Sequence, residues 1–304
     1  MNIDKKVGVI LVNYNGKEYN EECINSILDS SYKNIEIIVI DNGSKDGSVE
    51  ILKTVFKEKI ELILTGENLG FSGANNIGIE KALNDECDYI LLLNNDTIID
   101  KHLIKNMLEA SIEEKNSVIS PKIYYYDDKK IIWSAGADIR WKKGVTDQRG
   151  INKVEDGSFN KREEVQFGTG CCLLIPSNIV KKVGMLSEEY FLYYEDTDYC
   201  MKIKEKGYKI VYEPKGVLYH KVSASTGGEL SVGYIYYNTR NRLIFNNKYN
   251  KVSKIIYMTY FYLTRFVKCC IWSIKGKKEL VKATLIAIKD YNNGVTGKKD
   301  LSDI

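Results

Sequence analysis

The segment from residue 89 to residue 99 constrains the fold more than any other part of the chain. It reads Tyr-Ile-Leu-Leu-Leu-Asn-Asn-Asp-Thr-Ile-Ile. A short unbroken apolar run predicts a strand that is buried on both faces, as in a parallel sheet. Asn94, Asn95 and Asp96 then stand at its carboxyl end, where open α/β sheets bind ligands. A carboxylate beside amide oxygens suits a hard divalent cation and a diphosphate. The alternative is a polar turn in which Asp96 caps the next helix.

Three further apolar runs alternate with helical patterns before this segment. Strands are predicted at 7–13, 35–40 and 60–64, each followed by helical periodicity. Short β-α-β connections predict a parallel sheet with helices on both faces and right-handed crossovers. Later in the chain the pattern predicts strands at 118–121, 123–126, 131–134, 209–212 and 217–220, a loop at 142–163 and a helix at 195–207.

Composition narrows the class of protein. The chain has 304 residues, is 44% hydrophobic and carries a net charge of +3, which does not point to nucleic acid. None of its seven cysteines has C-x-x-C spacing, so thiols in a reducing compartment fit better than zinc or disulfides. The N-terminus enters a strand directly and does not look like a signal peptide. We therefore expect a cytoplasmic protein.

Residues 231–304 form a separate helical region in this interpretation. The stretch 255–274 is rich in aromatic and aliphatic residues, but Arg265 and Lys268 interrupt it, which disfavours a membrane-spanning helix. An apolar face followed by lysines suits a helix lying on an anionic membrane surface. Packing on the chain's own domain, or on a second subunit in a homodimer, are the alternatives.

Several polar residues stand where chemistry is expected. Asp41 ends a predicted strand as Asp96 does, so both should line one sheet edge. Ser44, Asp46 and Ser48 after it suit helix capping. The Gly/Asn-rich loop at 66–78 has neither Walker nor dinucleotide-fingerprint spacing, but its backbone N–H groups suit phosphate or sugar oxygens.

A second group follows the aromatic run Tyr190–Tyr194. Glu195, Asp196 and Asp198 start a helix, where acids often only complement the helix dipole. Beside apolar residues, one of these carboxylates is instead placed to act as a general base, because desolvation raises its pKa. His220 ends a strand and is a candidate metal ligand, or else a structural histidine. His102 is predicted to lie on the surface.

Five segments in order resemble family 2 glycosyltransferases, which have the GT-A fold, over roughly residues 6–247. The segments are Val12–Gly16, Asp41–Ser48, Glu67–Gly78, Leu92–Asp96 and Glu195–Tyr199 with His220 after it. The segment Tyr236–Asn241 looks similar to the rhamnosyltransferase-like branch of that family.

The resemblance implies an inverting, single-displacement transfer of a sugar from a dTDP- or UDP-sugar to a glycan or lipid-linked acceptor. It implies Mg²⁺ or Mn²⁺ on Asp96 and His220, and Asp196 as the general base. Asn94 replaces the first acid of the family's D-x-D motif, which removes one charge from the metal site. The implied donor-binding residues are Asn13, Asn15, Asp41, Asn68, Gly73, Asn94, Asn95 and Arg240. The implied acceptor-binding residues are Gly170, Tyr194, Glu195 and Asp198, within walls formed by Gly168–Gly170 and Tyr190–Tyr194.

The predicted organisation is a GT-A domain at 1–230, with a nucleotide-binding half at 1–121 and an acceptor-binding half at 122–230, followed by the helical region at 231–304. Two other classes of function are compatible with an α/β sheet bearing acids. A sugar-1-phosphate nucleotidyltransferase would need a basic Gly-rich loop after the first strand, and Asn13–Lys17 is poor for that. A non-catalytic sugar-nucleotide or glycan-binding module would not need Asp96, Asp196 and His220.

Overall fold

The computed structural model describes residues 3–222, 230–251 and 253–302. Eight strands form one connected path in the main sheet, in the order β10-β7-β6-β12-β4-β1-β2-β3, and β5, β11 and β13 join it at the side. In chain order the elements are β1 (Val7–Asn13), α1 (Asn20–Leu28), β2 (Ile35–Asp41), α2 (Ser48–Val55), β3 (Glu61–Leu64), α3 (Gly70–Asn84), β4 (Tyr89–Asn94), β5 (Thr97–Ile99), α4 (Leu103–Glu113), β6 (Val118–Tyr125), β7 (Ile131–Ser134), β8 (Ala137–Arg140), β9 (Val145–Gln148), β10 (Lys153–Val154), β11 (Glu163–Glu164), β12 (Cys172–Pro176), α5 (Ser177–Val183), α6 (Glu195–Glu205), β13 (Ile210–His220), α7 (Val232–Tyr249), α8 (Lys254–Ile274) and α9 (Lys278–Asn292).

The first four long strands are parallel, as the apolar runs predict. β1 lies between β2 and β4, and β3 extends the sheet beyond β2. The side chains of β1 and β4 are almost all buried, because helices cover both faces of the sheet. Two apolar clusters, one on each face, form the core around this half.

The second half of the sheet is mixed. β12 runs antiparallel to both β4 and β6, and β13 runs parallel to β6 but antiparallel to β5. The pairing of β5 with β13 has a direct consequence for the site, because it sets Thr97 opposite His220.

The structure corrects several predicted boundaries. The runs at 118–121 and 123–126 form the single strand β6, and those at 209–212 and 217–220 form the single strand β13. Pairing with β6 carries β13 across the polar stretch, with an irregularity between Glu213 and Val217. The predicted loop at 142–163 contains β9, which forms a hairpin with β8, and β10, which pairs with β7. Asp96 does not cap α4, since β5 intervenes and His102 precedes that helix.

The C-terminal region is helical, as predicted. α9 packs against α7, with Tyr236, Trp272 and Leu280 in a shared apolar cluster. Only three residues of α8 are buried, namely Tyr257, Phe261 and Trp272. No helix in the described ranges combines the length and the apolarity that crossing a membrane requires.

The close packing of α3 on β1 can be tested by a substitution at Gly78. A Cβ at Gly78 would lie 2.5 Å from Cγ2 of the fully buried Ile10. Gly78→Ala should therefore lower the free energy of unfolding by about 1–3 kcal/mol, measured by urea denaturation. This cost should exceed the gain of about 1 kcal/mol in helix propensity.

Gly233→Ala in α7 is the matched control. No described atom lies within 4 Å of the added Cβ there, so stability should be unchanged or rise by about 0.4–1 kcal/mol. Equal effects of the two substitutions would contradict the packing described for α3.

Candidate functional site

The carboxyl ends of β1 and β2 meet at Asn13 and Asp41. The two residues are register partners in the parallel ladder, so their side chains start side by side. The Asn13 amide donates to Asp41 Oδ1 at 2.7 Å and to Ser48 Oγ at 2.8 Å. Ser44 N donates to the other carboxylate oxygen of Asp41 at 3.1 Å. Asp41 is thereby fixed in position at the end of its strand.

The other side of Asn13 reaches α1 and the end of β4. Its Oδ1 accepts from Asn20 Nδ2 at 2.8 Å and from Gly16 N at 3.1 Å. Asn95 Nδ2 donates to Asn20 Oδ1 at 2.8 Å and lies 3.4 Å from Asn13 Oδ1. We call Asn13, Asn20, Asp41 and Asn95 the amide network. It joins the ends of three neighbouring parallel strands, which confirms that these strand-end residues share one edge.

The loops beside the amide network are shaped by local hydrogen bonds. Asp46 Oδ1 accepts from the backbone N–H of Ser48, but the residue at the N-cap of α2 is Gly47 and no side chain caps the helix. Ser44 and Ser48 were expected to be helix caps; their hydroxyls instead accept from the Asn13 amide at 3.0 and 2.8 Å. Asn15 is exposed with a φ of 53°, and its Oδ1 accepts from Lys45 N. Neither Asn15 nor Asn94 makes a side-chain bond within the amide network; their roles in donor binding stay predictions.

The Gly/Asn-rich loop leads into α3 and contacts the aromatic run. Asn68 Oδ1 accepts from Gly70 N at 2.9 Å. Gly70 has a φ of +76°, and a Cβ there would lie 2.4 Å from the carbonyl oxygen of Phe191. The Phe71 N–H donates to that same oxygen at 2.9 Å. Gly73, in the first turn of α3, packs against Leu69. The two loops that the sequence singled out are therefore in direct contact.

Asp96 and His220 lie together although they are far apart in the chain. Because β5 pairs with the end of β13, Asp96 Oδ1 comes 3.2 Å from His220 Nε2. Both residues are buried, and Asp96 Oδ1 and His220 Nδ1 have no hydrogen-bond partner by geometric criteria within the described chain. The edge of the Trp133 ring packs against the imidazole, with ring centroids 4.7 Å apart.

The donor set at this pair fits a divalent cation. Carboxylate oxygens are preferred ligands of Mg²⁺ and Mn²⁺, and neutral imidazole is a common metal ligand. Here each of the two residues also has a buried polar atom without a hydrogen bond. Burial opposes the charged imidazole, but Cys171 and Asp96 act the other way and raise the pKa of His220 to about 10. A cation would displace that proton. Within the described ranges no cluster of three or more His, Cys, Asp or Glu side chains surrounds the pair.

Asp196 is connected to this edge through two consecutive residues. The backbone N–H of Gly170 donates to Asp196 Oδ2 at 3.0 Å, and the carbonyl of Cys171 accepts from Asn94 N at 2.9 Å. A Cβ at Gly170 would press on both Phe71 and Asp196, at 3.0 and 3.2 Å. Burial raises the pKa of Asp196, although the N–H groups of Gly170 and Thr197 oppose the shift. A carboxylate of raised pKa therefore lies beside the end of β4.

The other residues predicted to bind the acceptor are Tyr194, Glu195 and Asp198, and all three are buried. Glu195 is buried with one oxygen unpartnered among described atoms, and burial together with the charge of Asp196 raises its pKa well above the usual value. Tyr194 is buried and its hydroxyl donates to the Gly144 carbonyl at 3.3 Å. Asp198 is fully enclosed, and one of its oxygens accepts from Tyr190, Lys248 and Tyr249.

Arg240 is also enclosed. Its side chain has no exposed surface and bonds to Asn241, Tyr236 and the carbonyl of Tyr190. Asp198 and Arg240 therefore do not present their side chains to a ligand in this structure, and their predicted ligand contacts stay predictions.

Sequence reasoning missed residues that shape the site. Asn20 lies within a helical pattern that gave no sign of its role in the amide network. Asn241 was quoted only as part of a resembling segment, yet its amide donates to three carbonyls of the aromatic run, those of Tyr190, Leu192 and Tyr193, at 2.8–2.9 Å. Both residues act through hydrogen bonds to distant segments, which no local pattern reveals.

Comparison with known proteins gives the family. The model of "Glycosyl transferase family 2" matches residues 8–184, more than half of the chain. The chain belongs to glycosyl transferase family 2. The mixed sheet with its flanking helices is the GT-A fold.

Two curated relatives of this family 2 chain span most of its length. The low-salt glycan biosynthesis hexosyltransferase Agl10 of Haloferax volcanii is 25% identical over 83% of this chain and 80% of its own. The dTDP-rhamnosyl transferase RfbF of Shigella flexneri is 22% identical over 97% of this chain and 98% of its own. Among solved structures, GalNAc-T7 with UDP, GalNAc and Mn²⁺ has a TM-score of 0.61 at 14% identity, covering 78% of this chain and about half (48%) of its own.

The amide network can be tested by removing its central residue. Asn13→Leu keeps the size of the side chain but leaves buried groups of Asp41 and Asn20 without partners. Each unpaired group should cost roughly 1–3 kcal/mol of unfolding free energy, measured by urea denaturation. Asn247→Ala is the control, since Asn247 is exposed on α7 and its side chain accepts from the Lys254 amine, away from the amide network. That substitution should change stability by no more than about 0.5 kcal/mol.

Proposed function

We propose that this family 2 glycosyltransferase transfers a sugar from a nucleoside-diphosphate donor to a hydroxyl of a glycan or lipid-linked acceptor, with inversion at the anomeric carbon. The observation that carries the proposal is the position of Asp196, held by Gly170 N next to the end of β4. Residues 1–121 form the donor half and residues 122–230 the acceptor half in this proposal. The relative RfbF, named for dTDP-rhamnosyl transfer, favours dTDP- or UDP-linked sugars, rhamnose among them.

The residues divide the work in the following way. Asp41, with the amide network behind it, binds the base or ribose of the donor, and the loop at Asn68–Gly73 lies along its phosphates and sugar. Asp196 accepts the proton of the acceptor hydroxyl. The hydroxyl oxygen then bonds to the anomeric carbon as the bond from that carbon to the diphosphate oxygen breaks. Attack from the face opposite the leaving group inverts the configuration.

Asp96 and His220 hold the divalent cation in this proposal. A cation bound there would supply positive charge to the nucleoside diphosphate as it leaves. Asn94 in place of an acid leaves the site with a single carboxylate from this segment. The GT-A structure of GalNAc-T7 contains Mn²⁺, which supports the assignment of the cation.

Asp196→Asn tests the base. The amide cannot take the proton, so kcat should fall by about 10²–10⁴ while donor affinity is unchanged, measured as nucleoside diphosphate release and by calorimetry. Because burial raises the pKa of Asp196, kcat/KM of the wild type should fall on the acid side at a pH above the usual aspartate range. The variant should lack that acid limb. Asp138→Asn, an exposed acid on β8, should behave as wild type. Full transfer by Asp196→Asn would exclude this base, and release of pyrophosphate would indicate nucleotidyl transfer instead.

Metal dependence is tested with the two histidines as a matched pair. EDTA should abolish transfer and Mn²⁺ should restore it. His220→Gln should weaken Mn²⁺ binding at least tenfold in electron paramagnetic resonance titrations, whereas the exposed His102→Gln should leave it unchanged. If the wild type and His220→Gln both transferred sugar in EDTA as fast as without it, a catalytic role for the cation would be ruled out.

A further inference from the structure

Two arginines from different helices pack against the same aromatic ring, and neither forms an ion pair with a described residue. Arg242 of α7 is 4% exposed, and Arg265 of α8 is partly buried. Their guanidinium carbons lie 5.3 and 5.7 Å from the centroid of the same ring, that of Phe261. The Nε atom of each arginine is buried and has no hydrogen-bond partner among the described residues.

The charges of this arginine pair are not neutralised within the part of the chain described here. The bonds they make are to neutral oxygens: Arg242 donates to the carbonyl of Lys143, and Arg265 lies 3.5 Å from Thr239 Oγ1. Burial, and then the charge of Arg242, lower the pKa of Arg265. Buried charges are normally paired, because an unpaired one is costly. Two of them together, with unsatisfied donors, indicate a place for an anion.

The arginine pair borders the acceptor side of the site. Tyr194 connects the two: its hydroxyl donates to the carbonyl of Gly144, next to the carbonyl that Arg242 bonds. Asp196 follows Tyr194 by two residues in the chain. The arginine pair is therefore linked to the start of α6, where Asp196 lies, through Tyr194 and the backbone at 143–144.

The helix that carries Arg265 also carries an unusual surface. Its side away from the protein exposes large apolar side chains over the whole length of the helix. They are Ile255, Ile256, Tyr260, Tyr262, Leu263, Phe266, Val267, Ile271 and Ile274, each at least 36% exposed. An exposed apolar surface of this extent marks an interaction site. A ligand with a phosphate and a long apolar chain matches both the cations and this surface.

We propose that Arg242 and Arg265 bind a phosphate of a lipid-linked acceptor, and that the apolar chain of this acceptor lies on the exposed face of α8. This inference rests on the proposed function, in which Asp196 deprotonates an acceptor. Guanidinium groups suit phosphate oxygens because their N–H donors match them in pairs. The other source of the same chemistry is the diphosphate of the donor, and the experiment separates the two.

The test measures binding of inorganic pyrophosphate and of farnesyl diphosphate by calorimetry in EDTA, once without nucleotide and once with saturating UDP so that the donor site is filled. Both should bind to the wild type, and Arg265→Gln should weaken each about 10- to 100-fold. Arg140→Gln, an exposed arginine on β8, should have no effect. Without ligand, Arg265→Gln should melt at the same temperature as the wild type or higher, because it relieves repulsion from Arg242.

The exposed face of α8 is tested by a separate pair of substitutions. Leu263→Gln combined with Phe266→Gln should weaken farnesyl diphosphate at least tenfold and leave pyrophosphate unchanged. If saturating UDP abolishes the effect of Arg265→Gln, the pair holds donor phosphates and the acceptor assignment is wrong. If Arg265→Gln melts several degrees lower and binds both probes normally, the pair is structural and the proposal fails.

These outcomes are independent of catalysis. Asp196→Asn should bind both probes as the wild type does, because the measurement needs no transfer. If Asp196→Asn transferred sugar at full rate while both probes still bound, only the proposed mechanism would be refuted. Intact transfer to soluble acceptors without probe binding would refute only the phosphate site.

Discussion

The arrangement of the site depends on the hydrogen bonds that the Asn13 side chain makes in two directions. Its amide nitrogen holds Asp41 at the end of β2, and its amide oxygen holds Asn20, which in turn fixes Asn95 beyond β4. Parallel pairing brings the strand ends together, but it does not by itself orient polar groups there. An asparagine supplies both donors and an acceptor, so it can connect a carboxylate on one side with an amide on the other. Gly16 leaves the space for this arrangement, since a Cβ there would lie 2.2 Å from the Asn95 amide.

The C-terminal helices pack directly against the aromatic run Tyr190–Tyr194 and hold its backbone in place. Phe191, Tyr193 and Tyr194 all have positive φ, which costs of order 1–3 kcal/mol for each non-glycine residue. Asn241 of α7 donates to three carbonyls of this segment and thereby stabilises it. The same segment positions Asp196 and contacts Gly70 and Phe71. α7 is therefore connected to Asp196 through this segment, although α7 lies outside the part of the chain that the family model covers.

The parallel half of the fold was predictable because apolar runs and helical periodicity are local signals. The boundaries of β1, β2 and β4 follow from such runs, and Asp41, Asn95 and Asp96 follow from the ends of those strands. The missed features depend on contacts between distant residues. β13 continues past Pro214 because it pairs with β6 on both sides of the proline. Asn20 belongs to the amide network because α1 brings its side chain to Asn95, just beyond β4. Arg240 and Asp198 were predicted to bind ligands because they stand in segments that resemble the family, but the packing of α7 encloses both side chains.

The polar groups of this protein are mostly satisfied, and the exceptions are concentrated. Among described residues, the buried side-chain atoms without hydrogen-bond partners are Asp96 Oδ1, Ser120 Oγ, Glu195 Oε2, Asp198 Oδ2, His220 Nδ1 and the Nε atoms of Arg242 and Arg265. A native fold normally pairs such groups, and each exception calls for an explanation. Five of these seven atoms fall at the three places for which binding or catalysis is proposed: the Asp96–His220 pair, Glu195 next to Asp196, and the arginine pair. A bound ligand at these places would supply the partners that the fold itself does not.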